Sequence, residues 1–169
     1  MRFKKYKFKS VNSTNDVAIK LIKNGKNTGI IVSDKQRKGR GRNGNKWISL
    51  KGNLFVSLFH QIKKKDKIEK LNLKNCKIIK SILKKYVTSD IKIKFPNDLL
   101  IKGKKICGIL QEIIIHNRKR FLILGIGINI SSNPQIKNYQ TANLNQFSIK
   151  KISKLIIFNN IKKTYEQKY

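Results

Sequence analysis

The segment "KKICGILQEIIIHNRKRFLILGIGINI", Lys104 to Ile130, holds two long apolar runs joined by the polar turn His116–Arg120. Two such runs on either side of a short polar turn predict an antiparallel hairpin. Upstream, "DIKIKFPND" alternates Ile91, Ile93 and Phe95 against Lys92 and Lys94, which predicts a strand that breaks at Pro96. "NLFVSLFH" (Asn53–His60) is apolar at nearly every position and reads as a strand covered on both faces, and "TGIIVSD" (Thr28–Asp34) reads as a buried one. The basic N-terminal "RFKKYKFKSV" is a further strand.

Helices fill the gaps. In "NSTNDVAIKLIKNG", Ser13 or Thr14 can cap, Asp16 suits the positive end, and Val17, Leu21 and Ile22 share a face before Gly25 offers a stop. The span from about Ile68 to Tyr86 sets Ile79, Ile82, Leu83 and Tyr86 on one stripe. A last helix is expected from about Ile149 to Tyr165. The order β-α-β-β-α-β-β-β-α predicts one α/β (α+β) domain over residues 1–169, a mixed and mostly antiparallel sheet flanked by helices.

Composition narrows the classes. Apolar residues make up 39% of the 169 and fall in periodic runs, so the chain folds. No apolar run approaches the roughly 18 residues needed to cross a bilayer. The N-terminus lacks the apolar stretch of a secretory leader, and Cys76 and Cys107 have no metal-type spacing, so a cytoplasmic protein with buried thiols is expected. The formal charge of +32 draws anionic partners. Lysine is spread through every segment beside abundant isoleucine and asparagine, as codon bias also produces, so charge alone names no partner.

"RKGRGRNGNKW" (Arg37–Trp47) places Gly39, Gly41 and Gly44 in a G-x-G-x-x-G pattern. A dinucleotide fingerprint must open a helix, and here a strand follows. A P-loop fails because Asn45 precedes Lys46 and no Ser or Thr comes next. Two readings stay open on the loop alone. One is a flexible nucleic-acid segment, with Trp47 the only aromatic near it. The other is a mobile anion clamp, with glycine N–H groups and the guanidinium forks of Arg40 and Arg42 ordering over a bound ligand.

Taken together, "STN" (Ser13–Asn15), "GRGRNGNKW", "GNLFVSL", "KFPNDLLIKGKKICGILQE" (Lys94–Glu112) and "LGIGINI" resemble, in order and spacing, the catalytic domain of biotin–protein ligases over about Val11 to Ile130. That resemblance implies the biotin/lipoate ligase fold, with residues 131–169 as a C-terminal loop and helix. It implies formation of biotinyl-5′-AMP from biotin and Mg·ATP, then transfer to a lysine of a biotin carboxyl carrier protein. Fixed cations suit such a site, because a carboxylate must approach a polyphosphate.

Residue by residue, the resemblance assigns Ser13, Thr14, Asn15, Gln36, Arg40, Gly41, Arg42, Lys94 and Gly108 to biotin. Arg40, Arg42, Trp47, Lys94, Asn97 and Asn129 fall to ATP. Lys94 and Arg42 carry the chemistry, Lys94 bridging carboxylate and phosphate. Asp98 and Glu112 are left as candidate metal ligands, and Gly108, Gly125 and Gly127 are expected to give a ligand or neighbouring backbone room. Phe95 replaces the family's usual tryptophan and is expected to keep its packing; Asn43 and Asn45 replace two arginines common in the loop. A helix-turn-helix and the small C-terminal β-barrel of many members are not expected, nor is specific DNA or membrane binding; a homodimer is left open. A lipoate or octanoate ligase and a nonspecific nucleic-acid binder on this scaffold are the alternatives.

Overall fold

In the computed structural model, which describes residues 1–64 and 66–169, the strands form one seven-stranded sheet. They are β1 (Lys5–Val11), β2 (Thr28–Gln36), β3 (Leu54–Ile62), β4 (Lys92–Lys94), β5 (Asp98–Ile101), β6 (Lys104–His116) and β7 (Lys119–Ile128). Their order is β1-β2-β3-β7-β6-β5-β4. Only β1 and β2 run parallel, joined through α1 (Thr14–Lys23); the other neighbours are antiparallel. The long hairpin is β6–β7, paired from Cys107↔Ile128 to His116↔Lys119.

The sheet is covered on both faces, which is why β3 and β7 are apolar almost throughout. On one face, Ala18 and Ile22 of α1 pack against Ile31, Phe59, Phe121 and Ile123. On the other, α2 (Ile68–Lys84) and α3 (Lys154–Lys168) bury Ile79, Leu83, Ile157 and Ile161 against Ile30, Val56, Leu58 and Leu124. Cys76 and Cys107 are free and buried there, and burial pushes the Cys76 thiol up to about 11.

Gly25 closes α1 as expected. Its φ of +78° is the left-handed conformation of a helix C′ residue, and Lys26 N–H returns to the Leu21 carbonyl at 3.0 Å. The Ser13 hydroxyl, however, makes no cap; only its carbonyl joins the helix, accepting from Val17 N–H at 3.2 Å. The third helix starts at Lys154, later than Ile149, with Ser153 accepting from Leu155 N–H.

β5 is the strand the sequence reading lacks. Four residues between the Phe95–Asn97 turn and the turn at Lys102–Gly103 carry too little periodicity to declare themselves. The same turn corrects Phe95. β4 ends at Lys94, so alternation stops before Phe95, whose side chain is 66% exposed and does not pack with Ile91. Among the described residues no helix is long and apolar enough to cross a membrane.

Candidate functional site

On the α1 side of the sheet, register aligns small residues across the central strands. Ser57 of β3 lies opposite Gly125 of β7, and Phe55 opposite Gly127, which in turn faces Gly108 of β6. Without side chains at these glycines, the sheet offers a flat floor, and a cavity of about 480 Å³ lies over it. Gly108, Gly125 and Gly127 all line this cavity, and the atoms nearest them are side chains, not the neighbouring backbone that was one of the two expectations. A Cβ on Gly108 would come within 2.6 Å of the Trp47 indole, one on Gly127 would collide with the same ring, and one on Gly125 with the Asn15 amide.

The start of α1 forms one wall, with Ser13, Thr14 and Asn15 all buried and lining the cavity. Gln36, at the end of β2, accepts from Thr14 N–H at 2.8 Å and from its hydroxyl at 3.0 Å. Ser57 donates to Asn15 Oδ1 at 2.5 Å, and its oxygen lies 2.7 Å from the Thr14 hydroxyl. Asn15 Nδ2 donates to Glu112 Oε2 at 2.6 Å. Thr14 is therefore fixed by Gln36, and Asn15 by Ser57 and Glu112.

The glycine-rich loop folds as a small hairpin. Arg40 and Lys46 bridge antiparallel, Gly41 N–H donates to Asn45 C=O at 2.7 Å, and Trp47 N–H to Gly39 C=O at 2.9 Å. Its tip is Asn43–Gly44 with φ of 53° and 76°, the paired positive values of a type I′ turn. The asparagine at 43 is thus suited to the turn in a way a bulkier arginine is not.

Arg40 is not the free cation expected of a clamp. Its guanidinium forks onto Glu112, both bonds 2.8 Å, and reaches Asp16 at 2.9 Å. Burial opposes its charge, but the bonds to Glu112 and the two carboxylate charges outweigh that and strengthen it. Arg42 and Lys46 line the same cavity and make no ion pair among the described residues.

The far wall holds Lys105 at the start of β6. Its ammonium lies 2.9 Å from Asp98 Oδ1, a charge contact whose angle is outside hydrogen-bond geometry, and 5.6 and 5.1 Å from the ring centres of Trp47 and Tyr139. The side chain is only 17% exposed. Lys94 does not line this cavity. It sits exposed on the edge strand β4, so the structure does not bring Lys94 to the cavity as expected; the lysine that reaches it from the sheet is Lys105. Alternation tells opposite faces apart but cannot say which of them holds the site.

Of the remaining candidates, Asn97 lines the cavity and ties the turn to β6, its Nδ2 donating to Ile109 C=O at 2.9 Å. Asn129 is buried behind Lys105, donating to Ala142 C=O at 3.1 Å, and lines only a small recess beside Trp47 and Tyr139. Besides Lys105, the sequence reading missed Lys46 of the glycine-rich loop, and Ile136, Asn138 and Tyr139, which reach the cavity from an irregular segment with no periodic signal. Each candidate carboxylate already has a cationic neighbour: Asp98 is paired with Lys105, and Glu112 and Asp16 with Arg40.

Comparison with known proteins agrees with the fold. The family model for the biotin/lipoate A/B protein ligase family matches residues 7–129. The bifunctional ligase/repressor BirA of Bacillus subtilis is 33% identical over 171 residues, covering 94% of this chain and 51% of its own length, so the chain spans about half of that relative. Among solved structures, the Aquifex aeolicus biotin protein ligase in complex with biotin and ATP superposes with a TM-score of 0.82 at 26% identity, covering 97% of this chain and 69% of that one. The Leishmania major enzyme in complex with biotinyl-5-AMP gives 0.77, also at 26% identity, over 94% and 71%. With most of its length matched in sequence and its sheet and helices shared with these enzymes, the chain belongs to the biotin/lipoate A/B protein ligase family.

Proposed function

We propose that the chain is an ATP-dependent biotin–protein ligase. The biotin carboxylate attacks the α-phosphate of ATP, forming biotinyl-5′-AMP and releasing pyrophosphate. A carrier lysine, as its free amine, then attacks the acyl carbon; AMP leaves with the bonding pair and the amine gives up a proton. The observation that carries this reading is the convergence of Arg42, Lys46 and Lys105, from two separate segments, on one cavity walled by the α1 start.

Lys105 is the cation suited to stand between carboxylate and phosphate. Asp98 and the two aromatic rings hold its ammonium in place, so little reorganisation is needed as charge develops. Arg42 suits the phosphate of the adenylate. Ser13, Thr14, Asn15 and Gln36 form a polar end, which suits the ureido ring of biotin better than the apolar tail of lipoate or octanoate. Magnesium enters with the nucleotide. We treat residues 1–169 as one catalytic unit, working in the cytoplasm on an acidic biotin carboxyl carrier domain.

The test mixes protein, labelled biotin, Mg·ATP and a carrier domain, reading pyrophosphate release and label transfer separately. Lys105→Ala should slow pyrophosphate release by about 10²–10³, the scale of losing one preorganised charge-stabilising group. Lys94→Ala should stay within about twofold, as expected of an exposed side chain outside the cavity. No transfer by the wild type overturns the activity; a Lys94→Ala loss equal to that of Lys105→Ala overturns the assignment.

A further inference from the structure

Glu112, Asn15, Ser57, Thr14 and Gln36 form one hydrogen-bonded chain along the polar wall, and its middle members, Asn15, Ser57 and Thr14, are buried. Thr14, Asn15 and Gln36 line the cavity; Ser57 and Glu112 stand behind them and do not. The ends of the chain fix the direction of its protons. The Glu112 carboxylate has no proton to give, so Asn15, at 2.6 Å, must turn its NH₂ group there and its Oδ1 toward Ser57. An amide oxygen 2.5 Å from the Ser57 hydroxyl then claims the one proton that Ser57 has. At the other end, Thr14 N–H donates to Gln36 Oε1 at 2.8 Å, which sets that oxygen, and not the NH₂ group, against the Thr14 hydroxyl. Thr14 Oγ1 therefore stands between two oxygens with no proton to offer it, Ser57 Oγ at 2.7 Å and Gln36 Oε1 at 3.0 Å. Its own proton belongs to that pair, and a lone pair is what it has left for the cavity.

We propose that Ser57 and Glu112 are positioning residues for ligand selection: acting through Asn15, they confine the Thr14 hydroxyl proton to the wall, so that the cavity meets an acceptor at this point and admits a ligand bearing N–H there. A ligand acceptor in the same place would need the Thr14 proton. Giving it up leaves Thr14 Oγ1 facing Ser57 Oγ and Gln36 Oε1 with no proton in either contact, and unmade hydrogen bonds in a buried place are costly. A hydroxyl by itself serves equally as donor or acceptor, so the selectivity lies in the chain behind Thr14 and not in Thr14 alone. The inference deepens the biotin reading and rests on it for the identity of the ligand. A cyclic urea carries an N–H on each side of its carbonyl, whereas a cyclic carbamate carries one N–H and one ring oxygen.

Calorimetric titration without ATP compares biotin with the two carbamate analogues in which one or the other ring N–H is replaced by oxygen. In the wild type, one of the two should bind at least about a hundredfold more weakly than biotin, as a site built around a ligand N–H rejects a ligand that lacks it. Ser57→Ala removes one of the two oxygens that claim the Thr14 proton and should shrink that ratio by about fivefold to tenfold, the scale of one neutral hydrogen bond. Glu112→Gln tests the same chain from its far end: a carboxamide lets Asn15 turn either way, and the ratio should shrink again. Loosened packing would weaken biotin and carbamate alike, so the ratio separates positioning from a merely structural role. No discrimination against either carbamate in the wild type, or a ratio unchanged in either variant, overturns the proposal. Pyrophosphate release with Mg·ATP is read in parallel. Selective biotin binding without pyrophosphate release removes the ligase reading and leaves the relay standing; release with an unchanged ratio removes the relay alone. A wild type that does not bind biotin removes both.

Discussion

Gly127 shows how much a missing side chain can decide. Its Cα supports the Trp47 indole, and a methyl group there has nowhere to go except into the ring. Gly127→Ala should destabilise the protein by about 1–3 kcal/mol, the usual range for overpacking, measured by urea unfolding. Trp47→Leu should relieve the clash, so the double variant should cost less than the sum of the two singles. Additive costs would mean that the ring moves aside freely and that the floor is not shaped for it. That the glycines, arginines and the α1 start share one cavity was legible because their chemistry is unusual in a strand or loop. Lys105 was not, since one more lysine among so many carries no signal. Its mark was the register of a hairpin, with scarce Asp98 brought beside it across β5 and β6, and β5 was itself too short to be read.

Strands whose apolar residues alternate or run unbroken were read correctly because a covered sheet leaves little choice of face, whereas the turn after β4 reversed the fate of Phe95. His60 belongs to the same covered strand, β3, and shows what a polar residue does there. It is buried, with Nδ1 donating to the Gln61 carbonyl at 3.0 Å and its ring 4.4 Å from Tyr169 of the α3 end. Burial lowers its pKa; the Gln61 carbonyl pulls it up in part, Lys74 adds to the lowering, and Asp66 opposes it. The unfolded chain, with a pKa near about 6.5, therefore binds a proton more readily than the folded one. Stability contributed by neutral His60 is fully present above the unfolded pKa and is lost as pH falls from there toward the folded value. Urea unfolding between pH 7.5 and 5.5 should show this decline, and His60→Phe should flatten it. An equal slope in the variant would place the proton elsewhere.

Charge is the property that belongs to the molecule as a whole. The carboxylates Asp16, Asp34, Asp90, Asp98, Glu112 and Glu166 each sit within 4 Å of a cation, yet with a net +32 most lysines among the described residues have no carboxylate that close. Two consequences of opposite sign follow from screening, whose length falls from about 30 Å at 0.01 M salt to about 10 Å at 0.1 M. Self-repulsion relaxes, so moderate salt should raise the unfolding midpoint. On the proposed function, attraction to an acidic carrier weakens, so the KM for the carrier should climb several-fold between about 50 and 200 mM salt, in the manner of other charge-steered encounters. On the proposed ligase reading, adenylate formation draws on Arg42 and Lys105 inside the cavity, where screening reaches least, and its rate should move much less. The comparison is internal to one preparation: pyrophosphate release and label transfer measured across the same salt series. Both rates falling together would show that the surface charge acts on the small anionic substrates as much as on the carrier. A flat KM for the carrier would show that the lysine excess plays no part in docking at all.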